Sequence, residues 1–331
     1  MLAKGRVEQL RQYKPDIIKP DNLEVFWLSS LQHSDINKVT LKLKQQDYPL
    51  KQVAVFEASL KAGDGTNIKG WYLRPAATAA SQCPGLVRFH GYSSNRGQIS
   101  ELLFWALQGY AVLGMDVRGQ CGETPDNRPY SKGHFSGWMT LGLDSPENFY
   151  YHQVYLDCVR MVEALTRQPE VDSARIGLFG KSQGGGLAIV TSALVNKFTG
   201  AVEGLNSSVK AVAAAIPFLC DFPGAYQLHN DGPMQELVNY FRLFDPEHKE
   251  EDRIFKVLSY FDALNLAPWV TSNTLVSIGM RDTACPPATI YAMYSQLKGD
   301  KELAVYPEYG HETVDQFIDK QIYHLASELL G

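Results

Sequence analysis

The 331 residues carry 31 basic and 36 acidic side chains, a formal charge of −5, with 45% hydrophobic and 20% charged residues. This balance can build a core and excludes a disordered chain. No Lys/Arg run can track a phosphate backbone, which excludes nucleic acid as an expected partner.

The first residues lack an apolar signal core, and no stretch approaches the ~18 uninterrupted apolar residues of a membrane span. Cys83, Cys121, Cys158, Cys220 and Cys285 are scattered, with no Cys-x-x-Cys pair. Reduced thiols in a cytoplasmic protein are the expectation.

Residues 1–50 are polar and broken by Pro15, Pro20 and Pro49, with one apolar cluster at Leu23, Val25, Phe26, Trp27 and Leu28. They read as an arm packed on a single domain, 51–331. Alternating runs at 53–56 and 68–73 flank the turn-rich Gly63-Asp64-Gly65-Thr66-Asn67, a hairpin signal. Short apolar runs at 86–89, 111–115, 176–179, 209–216, 274–278 and 303–306 then alternate with helical stretches. That alternation predicts an α/β fold with a largely parallel twisted sheet covered by helices on both faces. The clearest helix is expected over 146–167, with Ser145 as N-cap and Pro146 in its first position. Residues 218–273 fall between two predicted strands, and with a helical segment near 234–244 they read as an insertion above the sheet.

Gly180-Lys181-Ser182-Gln183-Gly184 follows the strand at 176–179 and precedes an apolar helical run from Leu187. The five-residue pattern alone is weak. Strand, tight turn and helix together are the setting of a nucleophile elbow, which lifts a serine Oγ above the sheet. Gly184-Gly185-Gly186 also lets a helix approach a strand closely.

A serine needs a base, and the base needs a carboxylate to orient it. His311 follows the strand at 303–306, and Asp282 follows that at 274–278. The order Ser, Asp, His at strand ends is that of the α/β-hydrolases. His90-Gly91-Tyr92 follows the first parallel strand, so the backbone N–H groups of Tyr92 and Gln183 are the expected oxyanion donors. His90 itself reads as a structural histidine. His311-Glu312 lacks the second histidine of a zinc-binding H-E-x-x-H, so no metal site is expected, and no cofactor is called for.

The residues taken together resemble carbohydrate esterase family 7, the acetyl xylan esterases and cephalosporin C deacetylases. Arg118-Gly119-Gln120, Gly180-x-Ser182-Gln183-Gly184 and His311-Glu312 match its markers in order. Gly137-Trp138-Met139-Thr140, Pro217-Phe218-Leu219-Cys220 and the arm with Pro20, Phe26 and Trp27 extend the likeness over nearly the whole chain.

The resemblance implies a serine esterase that removes short acyl groups, chiefly acetyl, from O-acetylated sugars or small esters such as cephalosporin C. Its triad would be Ser182, Asp282 and His311, in a cytoplasmic homohexamer. Arg118 is expected to brace loops near the site. Lys181, Cys121 and Ala284 depart from the family, the first two standing where glycine is usual. Ala284 replaces a branched aliphatic in the acyl pocket, where Phe218 is its expected neighbour, so tolerance of longer acyl chains is expected. A general short-chain carboxylesterase, a prolyl-oligopeptidase-type peptidase and a non-catalytic ligand-binding relative are the rival readings. The peptidase typically has a long N-terminal propeller, whereas only about 50 residues precede the hairpin here.

Overall fold

The computed structural model describes residues 2–76, 82–130, 134–228 and 231–331. Nine strands form one sheet: β1 Lys42–Gln46, β2 Val53–Lys61, β3 Asn67–Pro75, β4 Cys83–Phe89, β5 Ala111–Met115, β6 Val171–Lys181, β7 Val209–Ala215, β8 Asn273–Gly279 and β9 Lys301–Tyr306. Their order is β1-β2-β3-β5-β4-β6-β7-β8-β9. Strands β1 to β3 pair antiparallel, β3 runs antiparallel to β5, and the remaining pairings are parallel.

Eleven helices are described: α1 Leu2–Gln12, α2 Leu23–Gln32, α3 Ser100–Leu107, α4 Tyr150–Thr166, α5 Gln183–Phe198, α6 Phe222–Leu228, α7 Gln235–Phe244, α8 Glu251–Ser259, α9 Ala263–Leu266, α10 Pro287–Gln296 and α11 Asp315–Leu329. The central strands are buried on both faces, and successive side chains go to opposite sides. Leu86, Val112, Phe179, Ala211 and Ala213 pack with Leu102 and Trp105 of α3 and Leu325 and Leu329 of α11. Their neighbours Val87, Leu113, Leu178, Val212 and Ala214 belong to the larger cluster containing α4 and α5. No described helix is long and apolar enough to cross a membrane.

Every strand expected from the sequence is present. The 218–273 segment is helical, carrying α6 to α9 between β7 and β8.

Two expectations differ. The arm does more than pack on the body, because it supplies β1. None of that strand's residues is buried, so it carries no apolar signature; lysines at such an edge discourage pairing with another chain. The apolar cluster behaves as expected in part: Trp27 stacks on Tyr155 at 5.6 Å, while Val25 is exposed. The long helix begins at Tyr150 rather than Pro146. Ser145 does cap a turn, accepting from the Asn148 N–H at 3.3 Å, but Phe149 is extended and the Tyr150 N–H donates to the Leu141 carbonyl. The 146–149 turn therefore never joins α4.

Candidate active site

Ser182 sits between β6 and α5 with φ 57° and ψ −121°, a backbone region that side-chain-bearing residues rarely adopt. Main-chain bonds hold it there. Its N–H donates to the Ala215 carbonyl at 2.9 Å, and its own carbonyl accepts from Gly186 at 3.0 Å and Phe218 at 2.9 Å. A Cβ at Gly184 would collide with the Phe89 carbonyl, and one at Gly180 with the Gly184 backbone. These glycines are what allow the sharp turn.

The loops after β8 and β9 complete the constellation. His311 Nε2 lies 2.9 Å from Ser182 Oγ, and His311 Nδ1 lies 2.8 Å from Asp282 Oδ2. The other oxygen, Asp282 Oδ1, accepts the backbone N–H groups of Ala284 at 3.0 Å and Cys285 at 2.8 Å. The Asp282 side chain is 0% exposed, whereas His311 is 29% exposed and opens onto a cleft.

The cleft encloses about 820 Å³, and its wall includes Tyr92, Ser182, Pro233, Glu236, Ala284 and His311. Its remaining wall mixes apolar Trp105, Phe179, Phe317 and Ile318 with polar Arg88, Lys181 and Gln321.

Cys285 is a neighbour that sequence reasoning missed. Its sulfur and ligand atoms of Asp282 and His311 lie within 4.8 Å of one another. Burial pushes the Cys285 thiol well above its usual range, and both Asp282 oxygens already accept hydrogen bonds. Such a donor set suits a hydrogen-bonded relay better than a metal.

Gln183 opens α5, and the first N–H groups of a helix have no acceptor within it. Its side-chain amide is fixed by a reciprocal pair with Gln120. Gln120 Nε2 donates to Gln183 Oε1 at 2.8 Å, and Gln183 Nε2 donates back at 3.2 Å. Tyr151 adds a third bond to Gln183 Oε1 at 2.8 Å. Tyr92 stands on the loop after β4. His90 is structural as expected, its Nε2 accepting the Val117 N–H at 2.8 Å. Burial lowers its pKa, which keeps it neutral for that role.

Arg118 is completely buried and bonds Asp157 at 2.7 Å, Asp64 at 2.5 Å and Asp126 at 3.4 Å. Burial opposes its charge, but these carboxylates outweigh that cost and raise its pKa. Arg118 thus joins the β2–β3 turn, α4 and the loop beyond Gly119, which is the bracing expected of it.

Ala284 lines the cleft facing Gly232 of the insertion. Phe218, expected beside it, does not line the cleft. The bond from its N–H to the Ser182 carbonyl draws that segment onto the elbow, and its buried ring packs edge-on to Tyr92 at 6.3 Å and Phe222 at 6.5 Å. Lys181 lines the cleft and bonds Thr313 Oγ1 at 3.1 Å. Neither Lys181 nor Cys121 has a positive φ, so neither position requires the glycine usual in relatives.

The acetyl xylan esterase (AXE1) family model matches residues 3–329. The chain belongs to that family. An acetyl xylan esterase from Paenibacillus sp. R4 superposes with a TM-score of 0.90 at 39% identity, covering 97% of this chain and 99% of that one. Acetyl xylan esterase 1 from Thermoanaerobacterium sp. superposes with a TM-score of 0.89 at 31% identity, over 97% and 98% of the two chains. The acetyl esterase Axe7A of Xylanibacter ruminicola is 26% identical over 96% of this chain and 70% of its own length. Membership in the acetyl xylan esterase family makes this an α/β-hydrolase whose relatives hydrolyse acetyl esters.

Proposed function

We propose that this chain is a serine esterase that removes short acyl groups, chiefly acetyl, from O-acetylated sugars or oligosaccharides and from small esters such as cephalosporin C. The observation that carries the proposal is the unbroken hydrogen-bonded line from Ser182 Oγ through His311 to the buried Asp282.

Ser182 Oγ attacks the ester carbonyl carbon while its proton passes to His311 Nε2, and Asp282 stabilises the imidazolium. The carbonyl oxygen becomes an oxyanion facing the N–H groups of Gln183 and Tyr92. The ester C–O bond then breaks, the departing alcohol oxygen takes the proton from Nε2, and the acyl group stays on Ser182. Water repeats the sequence, releasing the carboxylate and restoring the hydroxyl. A fluorophosphonate probe tests the scheme. It is expected to label Ser182, and absence of labelling would leave a ligand-binding role.

One observation favours a broader short-chain carboxylesterase. Ala284 lines the cleft with two or three fewer carbons than a branched aliphatic would, and Gly232 opposite adds none. Each buried methylene is worth about 0.8 kcal/mol, roughly fourfold per carbon. Butyryl esters are therefore expected to be tolerated, and Ala284→Ile to restore discrimination against them by about 1–2 kcal/mol in kcat/KM. The check is the ratio of kcat/KM for p-nitrophenyl acetate and butyrate in both proteins; an unchanged ratio removes Ala284 from the acyl pocket.

A cytoplasmic homohexamer extends the family likeness. Light scattering is expected to report a species of six chains, and a stable single chain would end that part of the proposal without touching the chemistry.

A further inference from the structure

We propose that Glu236, on the helical insertion, is a positioning residue that holds the Tyr92 loop in its oxyanion-binding arrangement. This rests on the esterase reading above and deepens it.

The two oxyanion donors are secured very differently. Gln183 is fixed by α5 and by its amide pair with Gln120. Tyr92 lies on a loop, next to Ser93 with φ 52°, so the backbone there requires bracing from outside. His90 supplies one brace through Val117. The other lies at the Tyr92 ring, which meets Trp138 edge-on at 5.2 Å and whose hydroxyl donates to Glu236 Oε1 at 2.6 Å. The same hydroxyl accepts the Trp138 N–H at 2.8 Å, and Glu236 Oε2 accepts the Met139 N–H at 2.9 Å.

The carboxylate thus gathers three elements: α7 of the insertion, the Tyr92 loop and the 137–139 backbone. Gly137 makes room for it, since a Cβ there would overlap the Glu236 carboxyl. Burial raises the pKa of Tyr92, so the hydroxyl keeps its proton, and with the Trp138 N–H on its oxygen it donates to Glu236. A hydrogen bond to a partly buried carboxylate is stronger than a neutral one and leaves the ring little freedom. Glu236 also lines the cleft, but its two oxygens are committed to Tyr92 and Met139.

Loss of one oxyanion donor typically costs 10²–10³ in kcat, so a displaced donor is expected to cost part of that range. Glu236→Ala should lower kcat for p-nitrophenyl acetate by about 10–100-fold with KM changed by less than about threefold. Tyr92→Phe should lower kcat similarly, and the double variant should be little worse than either single one, because both break the same link. Glu236→Gln retains an acceptor for Tyr92 but not for Met139 and should fall between Ala and wild type; it serves as the test if Glu236→Ala does not fold.

Higher KM with unchanged kcat, or losses that multiply in the double variant, would overturn the proposal. Ser182→Ala separates the two failures. If it is inactive while the Glu236 and Tyr92 variants keep full kcat, the positioning role fails and the esterase reading stands. If Ser182→Ala itself turns over, the underlying reading fails.

Discussion

Ser182→Ala is expected to lower kcat for p-nitrophenyl acetate by about 10⁴–10⁶ while leaving the fold intact. The size follows from the proposed chemistry, in which the hydroxyl 2.9 Å from His311 Nε2 is the group that base activates and its loss leaves acyl transfer without a nucleophile. The intact fold follows from the elbow, where the bonds holding residue 182 to Ala215, Gly186 and Phe218 are all made by its main chain. Alanine inherits them along with the unfavourable φ. Steady-state turnover with matched circular dichroism checks both halves, and retention of more than a tenth of wild-type turnover would sink the assignment of Ser182.

Asp282→Asn is expected to cost about 10⁴ in kcat through the wrong tautomer of His311. At present Asp282 Oδ2 accepts from Nδ1–H, which leaves Nε2 free to take the serine proton. In the variant, the side-chain carbonyl would still accept the N–H groups of Ala284 and Cys285, so the amide NH₂ would face His311. Nδ1 would then become the acceptor and Nε2 would carry the hydrogen, pointing a donor at Ser182 Oγ. Initial rates on p-nitrophenyl acetate test this. Turnover close to wild type would move the orienting acid elsewhere, with Asp315 the nearest substitute in sequence.

The strands and the Ser182–Asp282–His311 arrangement were legible for one physical reason. A parallel sheet buried on both faces writes each strand as a short apolar run, and the reactive residues of such a sheet fall just beyond the ends of those runs. Features outside that logic left no trace. β1 is a polar edge strand, and Ser145-Pro146 is a sound cap signal for a turn that the extended Phe149 isolates from α4. Glu236 carries no motif because its partners at positions 92 and 139 meet it only in the folded chain. Phe218 was misplaced because a main-chain bond to Ser182, invisible in side-chain patterning, sets where its ring points.

The amide pair between Gln120 and Gln183 has a consequence for how this sequence can drift. Each carbonyl faces the other's NH₂, so a change at one position is felt at the other. Changing either glutamine alone to an apolar residue costs the other amide its partner across the pair, leaving Gln183 held by Tyr151 and the His90 carbonyl, or Gln120 by Tyr150, at about 1 kcal/mol per lost bond. Changing one to glutamate sets a carboxylate against a carbonyl oxygen. Substitution at one position therefore changes what the other can bond, and the two are energetically coupled. Two sequence signatures 63 residues apart are thus joined into one hydrogen-bonded unit, with Tyr151 as its third member.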